Sequence, residues 1–538
     1  MRRTLATSLV AMSMALGMAL TVTPAVVSAA SGGASSRASR EARAATTLTD
    51  RERAAKALAT AKALFDGRTA GRSADRSGQG RATTRPADAT VALRDLFASR
   101  GSLTPAERKV AGGILARPTD GIHDPYGYGY TVPAVKKCDG HFCLHWVNST
   151  ADAPPSRAWV RKMLKLLNHV WTKEVNRLGY RPPIPDRGRG GNDKFDVYLK
   201  EIGSVGLYGF CAPERRKPGF QWLASAFCVI DNDFVGFPRP PMQSAEVTAA
   251  HEFFHAIQFG YDYGEDPWLL EATATWMEER VYDGVNDNRQ YLPAGQVAVP
   301  LVPLDYFGQG SSEQYGNWSF FEYLSKKFGN RIVQNIWNKA AAFPGAPDLY
   351  STKAISAALQ SRSGFKKIYA AFVSANLLPA KFYPEGKSWV PYLPADRFSS
   401  VTLSRAQRRT GKLGTSLLHM SSASWEVKSS SSLRSKKWYL KVKVDGPKPR
   451  RMPAAYVLIA KRRGFDKRFV QLNGRGHGQV IVPFSRRKVK AVYVSLVNAS
   501  TRFRCGKRTQ FSCSGLPIDD GRSYRGQPYH FSATVIKR

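Results

Sequence analysis

One segment constrains this chain more than any other: Ser244–Tyr282, which reads SAEVTAAHEFFHAIQFGYDYGEDPWLLEATATWMEERVY. Ser244 is a good N-cap, Glu246 suits the positive end of a helix, and Gly260 suits a stop. The pattern therefore predicts one helix over Ala245–Phe259. Residues four apart share a helix face, so His251 and His255 present two imidazoles to one side, where a single tetrahedral metal ion can meet both. Glu252 lies beside them at the rim. A catalytic zinc needs a third protein ligand and one position left open for water. Asp266 before Pro267 reads as an N-cap and first helical position, which predicts a second helix over Pro267–Tyr282 with Glu271 in its second turn. Glu271 follows His255 by 16 residues, a separation that a short Gly-containing loop can turn back across the first helix. Thr275 and Glu278 share the face of Glu271 and are candidates to hydrogen-bond the ligands; alternatively Glu278 and Glu279 belong to a solvated face.

The HEFFH segment and the helix carrying E-A-T-A after it resemble the gluzincin type of zinc metallopeptidase. With Gly191-Asn192 and Phe195-Asp196-Val197-Tyr198-Leu199 upstream, the chain over roughly residues 120–395 is similar to a group of secreted bacterial metalloproteases. The resemblance implies His251, His255 and Glu271 as zinc ligands and Glu252 as general base. Zinc lowers the pKa of its water to about 7 and polarises the peptide carbonyl, while a carboxylate in reach moves the proton to the leaving amine. The chain lacks the downstream Asp-x-x-x-His of thermolysin-like enzymes, so the donor to the oxyanion is open. Tyr315, just ahead of a helix at Trp318–Phe328, is the candidate, with Tyr306 and Tyr323 as rivals; a Tyr at such a place also packs.

Export is the next expectation. Arg2 and Arg3 precede an apolar run over Leu5–Leu20, and Val27-Ser28-Ala29 offers small residues before a cut, the layout of a secretory signal. Six cysteines fall into three neighbouring pairs, Cys138 with Cys143, Cys211 with Cys228 and Cys505 with Cys513, which predicts local disulfides in an oxidising compartment. Residues 31–130 lack Cys and Trp and show helical patterns near Leu48–Phe65 and Ala89–Ala116, a propeptide-like texture.

From Cys138 the texture is that of a packed domain. Strand-like runs at Phe142–Val147, Phe195–Leu199 and Ala226–Ile230, with a helical pattern over Trp159–Leu178, predict a small sheet with a covering helix. Ala226–Ile230, just before the zinc helix, is expected to be the edge strand that pairs with an extended peptide. The Gly-rich loop Asp186–Asp193 precedes a strand, so it is a turn and not a phosphate cradle. Its carboxylates and Asn192 make it a candidate calcium site without EF-hand spacing. Beyond Pro379–Pro394, alternating runs at Trp438–Val444, Ala455–Ile459, Gln479–Val482, Ala491–Val497 and His530–Ile536 predict a β-sandwich.

The formal charge is +39, and residues 401–538 carry 31 basic against 5 acidic side chains, which points that module at an anionic polymer. The expected class is α+β: a signal peptide over 1–29, a propeptide-like segment over 30–130, a zincin-like catalytic domain over 131–395, and a basic β-rich accessory domain over 396–538. The expected function is a secreted zinc-dependent endopeptidase acting on proteins or peptides. The alternative from another class is a non-catalytic cell-wall or surface polyanion-binding protein with a structural zinc site.

Overall fold

The computed structural model describes residues 49–65, 89–121, 128–501 and 526–538. The expected signal peptide and the pair Cys505 and Cys513 lie outside the described residues. The chain is α+β, with one mixed sheet embedded in helices and two further sheets toward the C-terminus.

Among the described residues three N-terminal helices come first: α1 (Asp50–Phe65), α2 (Ala89–Ser99) and α3 (Pro105–Ile114). Thr104 opens α3 with a capping box: its hydroxyl accepts from the Glu107 N–H, and the Glu107 carboxylate accepts from the Thr104 N–H. The mixed sheet follows, from β1 (Val135–Asp139), β2 (Phe142–Trp146), β3 (Phe195–Lys200), β4 (Gly209–Arg216) and β5 (Ala224–Asp231), in the order β1-β2-β3-β5-β4. The central strands β2, β3 and β5 run parallel, and β1 and β4 close the two edges antiparallel. β5 is buried at every position because both of its faces are covered. This corrects the expectation for Ala226–Ile230, which lies inside the sheet; the edge beside the HExxH helix is β4. The pattern hid β4 because it contains Gly209 and Pro213. An edge strand tolerates a proline, here beside a register shift between Pro213 and Arg215.

Between β2 and β3 runs α4 (Arg157–Trp171), extended to Arg177 by a wider turn. After β5 come α5 (Pro241–Asp262) and α6 (Pro267–Val281), the two helices that the HExxH segment predicts. α5 begins earlier than expected, with Pro241 in its first turn, so Ser244 is a buried interior residue and Gly260 lies within the helix. Val197, Leu199 and Ile230 on one face of the sheet pack with α4 and α5. Tyr198, Phe227 and Val229 on the other share a core with Leu58, Leu93, Leu96, Phe97 and Leu115. Packing therefore crosses residue 130, and the N-terminal helices complete the layer structure of the domain.

A buried guanidinium fixes that junction. Arg117, 1% exposed, donates to Asp186 and Asp196 at 2.6 Å each and to both carboxylate oxygens of Glu214 at 2.7 and 2.9 Å. Asp186, proposed from sequence as part of a calcium loop, is thus turned to Arg117. Among the described residues no three His, Cys, Asp or Glu ligand atoms converge in that loop.

A helical lobe follows, with α7 (Glu313–Gly316), α8 (Trp318–Phe328), α9 (Arg331–Ala340), α10 (Thr352–Ala358) and α11 (Gly364–Asn376). The C-terminal region then forms a sandwich. One sheet contains β6 (Ser399–Leu403), and the other begins with β7 (Leu413–Leu417). β8 (Ser421–Ser429), β9 (Trp438–Asp445), β10 (Pro453–Lys461), β11 (Phe465–Phe469), β12 (His477–Pro483), β13 (Val489–Asn498) and β14 (Gln527–Lys537) complete them in the orders β11-β10-β13-β8-β6 and β12-β9-β14-β7. Their facing residues, among them Leu440, Val442, Val457, Val494 and Phe531, form one core. The five-stranded sheet is docked on α11, and a buried pair joins His419 to Asp305 at 2.7 Å.

Candidate metal centre

Two adjacent helices converge their side chains below the cleft. The Nε2 atoms of His251 and His255 lie 3.2 and 3.6 Å from the same carboxylate oxygen, Oε2 of Glu271. Zinc bonds of about 2.0–2.2 Å in tetrahedral geometry place neighbouring ligand atoms roughly 3.3–3.6 Å apart, close to the separation of each imidazole from Glu271. The Nε2 of His255 is buried and has no hydrogen-bond partner, an orphan that a metal ion would satisfy. All three residues are at most 9% exposed.

The outer nitrogens fix the tautomers. The Gln258 amide donates to the Leu270 carbonyl and the Thr273 hydroxyl, 3.0 Å each, which leaves its oxygen to accept from the His255 Nδ1–H at 2.7 Å. Glu278 likewise accepts from the His251 Nδ1–H at 2.7 Å. Both imidazoles therefore turn their Nε2 atoms toward Glu271, the arrangement by which outer partners orient metal-binding histidines. Glu278 and Glu279 are buried, so neither is on a solvated face; Glu279 accepts from Asn288 at 2.8 Å. Thr275 does not reach the ligand side chains: its hydroxyl donates to the Glu271 backbone carbonyl of its own helix. The threonine that matters is Thr273, acting through Gln258. Only Gln258's place, three residues beyond His255, signals its role, and many helical glutamines share such a spacing.

Charge follows from this packing. Burial opposes ionisation of Glu271, but the two imidazoles outweigh it and hold its pKa well below the usual carboxylate range. Burial also opposes a proton on His251, yet Glu271 and Glu278 hold its pKa well above the ordinary value. Burial pushes Glu278 up to about 7 against the pull of His251. Glu252, 7% exposed, is pushed up by burial, with the two histidines pulling the other way.

His251 and Glu252 line a cleft with Gly209, Thr248, Tyr291 and Tyr315. Gly209, at the start of the edge strand, is needed as glycine: a Cβ there would stand 2.9 Å from the side chains of both Glu252 and Thr248. Tyr315 stacks on the His251 ring with centroids 6.0 Å apart. Its rivals lie elsewhere, the Tyr306 hydroxyl against Gly308 and the Tyr323 ring against Phe372. Tyr291, which nothing in the sequence pattern singled out, packs on Tyr315 at 5.1 Å and faces the same cleft.

Residues 133–349, which contain the mixed sheet and all three convergent side chains, match a family of unknown function (DUF6055). Comparison with curated proteins gives no match.

Proposed function

We propose that the chain is an exported zinc-dependent endopeptidase in which His251, His255 and Glu271 hold the metal and Glu252 is the general base. The observation that carries this reading is the convergence of two Nε2 atoms on Glu271 Oε2, at 3.2 and 3.6 Å, beside a cleft lined by His251 and Glu252. When bound, zinc would supply a Lewis acid for the peptide carbonyl and lower the pKa of a water. Glu252 would take the proton of the attacking water and pass it to the leaving amine. A carboxyl raised by burial suits that exchange, being a better acceptor than an exposed carboxylate. The Tyr315 hydroxyl would donate to the oxyanion as charge develops there.

Two further features fit export. The pairs Cys138–Cys143 and Cys211–Cys228 are disulfide-bonded, and among the described residues no helix is long and apolar enough to cross a membrane. The sandwich would serve as an accessory module for an anionic wall polymer, since the outer face around β9, β12 and β14 carries Lys412, Lys443, His477 and His530. The competing non-catalytic reading places a structural zinc in a closed site, and the cleft beside His251 and Glu252 argues against it. Zinc analysis of the secreted protein, joined to hydrolysis of a denatured protein with and without a chelator, tests the proposal. About one zinc per chain with chelator-sensitive cleavage supports it; zinc without any cleavage favours the structural alternative.

A further inference from the structure

The general base has a partner from a part of the chain remote in sequence. The Thr90 hydroxyl lies 3.0 Å from Glu252 Oε2, and the backbone N–H of Cys211 on the edge strand donates to the same hydroxyl oxygen at 2.9 Å. A hydroxyl owns a single proton. With Cys211 donating to its oxygen, the Thr90 O–H is directed at the carboxylate. Oε2 of Glu252 is thereby engaged, and Oε1 is the oxygen left for the proton of an attacking water.

This bridge is built into the fold. Thr90 is 4% exposed and sits in the first turn of α2, which lies along the outer edge of β4. One turn on, Arg94 donates to the carbonyls of Tyr263 and Glu265, at 2.9 and 2.7 Å, just past the end of α5. Leu93, Leu96 and Phe97 are at most 1% exposed. One short helix thus holds the HExxH helix at Glu252 and at its C-terminal end.

Resting on the peptidase reading, we propose that Thr90 is a positioning residue that fixes the Glu252 carboxylate, and that residues 89–99 remain in the working enzyme as a brace instead of leaving with a propeptide. The alternative consequence of the same contact is a lock, in which α2 blocks the edge strand until it is removed. The two have opposite signs in one experiment.

Thr90→Val keeps the shape of the side chain and removes both hydrogen bonds, while Thr90→Ser keeps both. A brace predicts that Thr90→Val lowers kcat by about 10–100-fold with KM changed less than about 3-fold, the size typical of losing an outer partner at a metal site. Zinc content stays near one per chain, and Thr90→Ser restores most of the activity. Because Thr90 acts through Glu252, adding Thr90→Val to Glu252→Gln should lower residual activity no further. Two readouts do not depend on turnover. The Cys211 amide should exchange faster in Thr90→Val, having lost its acceptor, and mass spectrometry of active secreted enzyme should find residues 89–99 present. An active form whose N-terminus lies beyond Ser99, Thr90→Val activity equal to or above wild type, or a further loss in the Glu252→Gln background would overturn the proposal. A wild-type protein that hydrolyses nothing would instead remove the peptidase reading itself.

Discussion

The lobe that carries the candidate metal centre and the C-terminal sandwich handle charge in opposite ways. Within the first, Glu174, Asp196, Glu252, Asp266, Glu271, Glu278 and Glu279 are all buried, along with Arg94 and Arg117. Among the described residues from 399 onward, no Asp, Glu, Lys or Arg is buried; the interior is apolar with a few Ser, Asn and His. A buried charge must be paired, neutralised or put to use, because removing it from water costs several kcal/mol. The lobe's carboxylates therefore mark where the chain gives up easy stability. The sandwich keeps its cations outside, where they can meet a partner.

The largest expected effect lies at the centre of the first region. Glu271→Ala leaves two imidazoles, so zinc content and hydrolysis should be lost together, while binding of the full chain to an anionic polymer is unchanged. Full zinc retention would break the assignment, and Glu278 could not easily replace Glu271, since it faces Nδ1 of His251 and not Nε2. Next, Arg117→Ala strands the carboxylates of Asp186, Asp196 and Glu214 and should destabilise by about 3–5 kcal/mol in urea unfolding. A loss under about 1 kcal/mol would show that these charges are not dry.

Much of the sandwich and part of the centre were legible in the sequence. β9 alternates buried and less buried positions from Trp438 to Asp445, as a period of two demands, and the HExxH helix with its glutamate helix carries its own spacing. The strands that escaped notice lacked that signal: β1 is largely exposed, and β4 mixes Gly209 and Pro213 with charged residues. Gln258 carried only a spacing from His255 that many helical glutamines share; Tyr291 and Thr90 were invisible for another reason. Their roles come from tertiary meetings, in Thr90's case across 162 residues, and no local period encodes such a contact.

A smaller effect concerns pH. Burial pushes the Asp266 carboxyl up to about 8, and Glu279 likewise to about 8. Between the unfolded values near 4 and about pH 8 the folded state holds more protons than the unfolded state, so stability falls as pH rises across that window. The melting temperature should decline between about pH 5 and 8, and Asp266→Asn should flatten the decline. A rise over that range would contradict the burial argument. The smallest effect on folding belongs to the sandwich. Lys443→Ala on its exposed face should change stability by less than about 0.5 kcal/mol, yet reduce the salt dependence of polyanion binding by about one unit of slope. Binding that ignores salt would show that the surface charge has no polyanion ligand.

The central claim is that Glu252 moves a proton beside a metal held by His251, His255 and Glu271, and Glu252→Gln tests it most directly. The amide keeps the volume and most hydrogen bonding of the side chain while losing its basicity. Zinc measured on the purified variant should stay near one per chain, and hydrolysis should fall about 100-fold or more. Undiminished turnover with zinc in place would contradict the account.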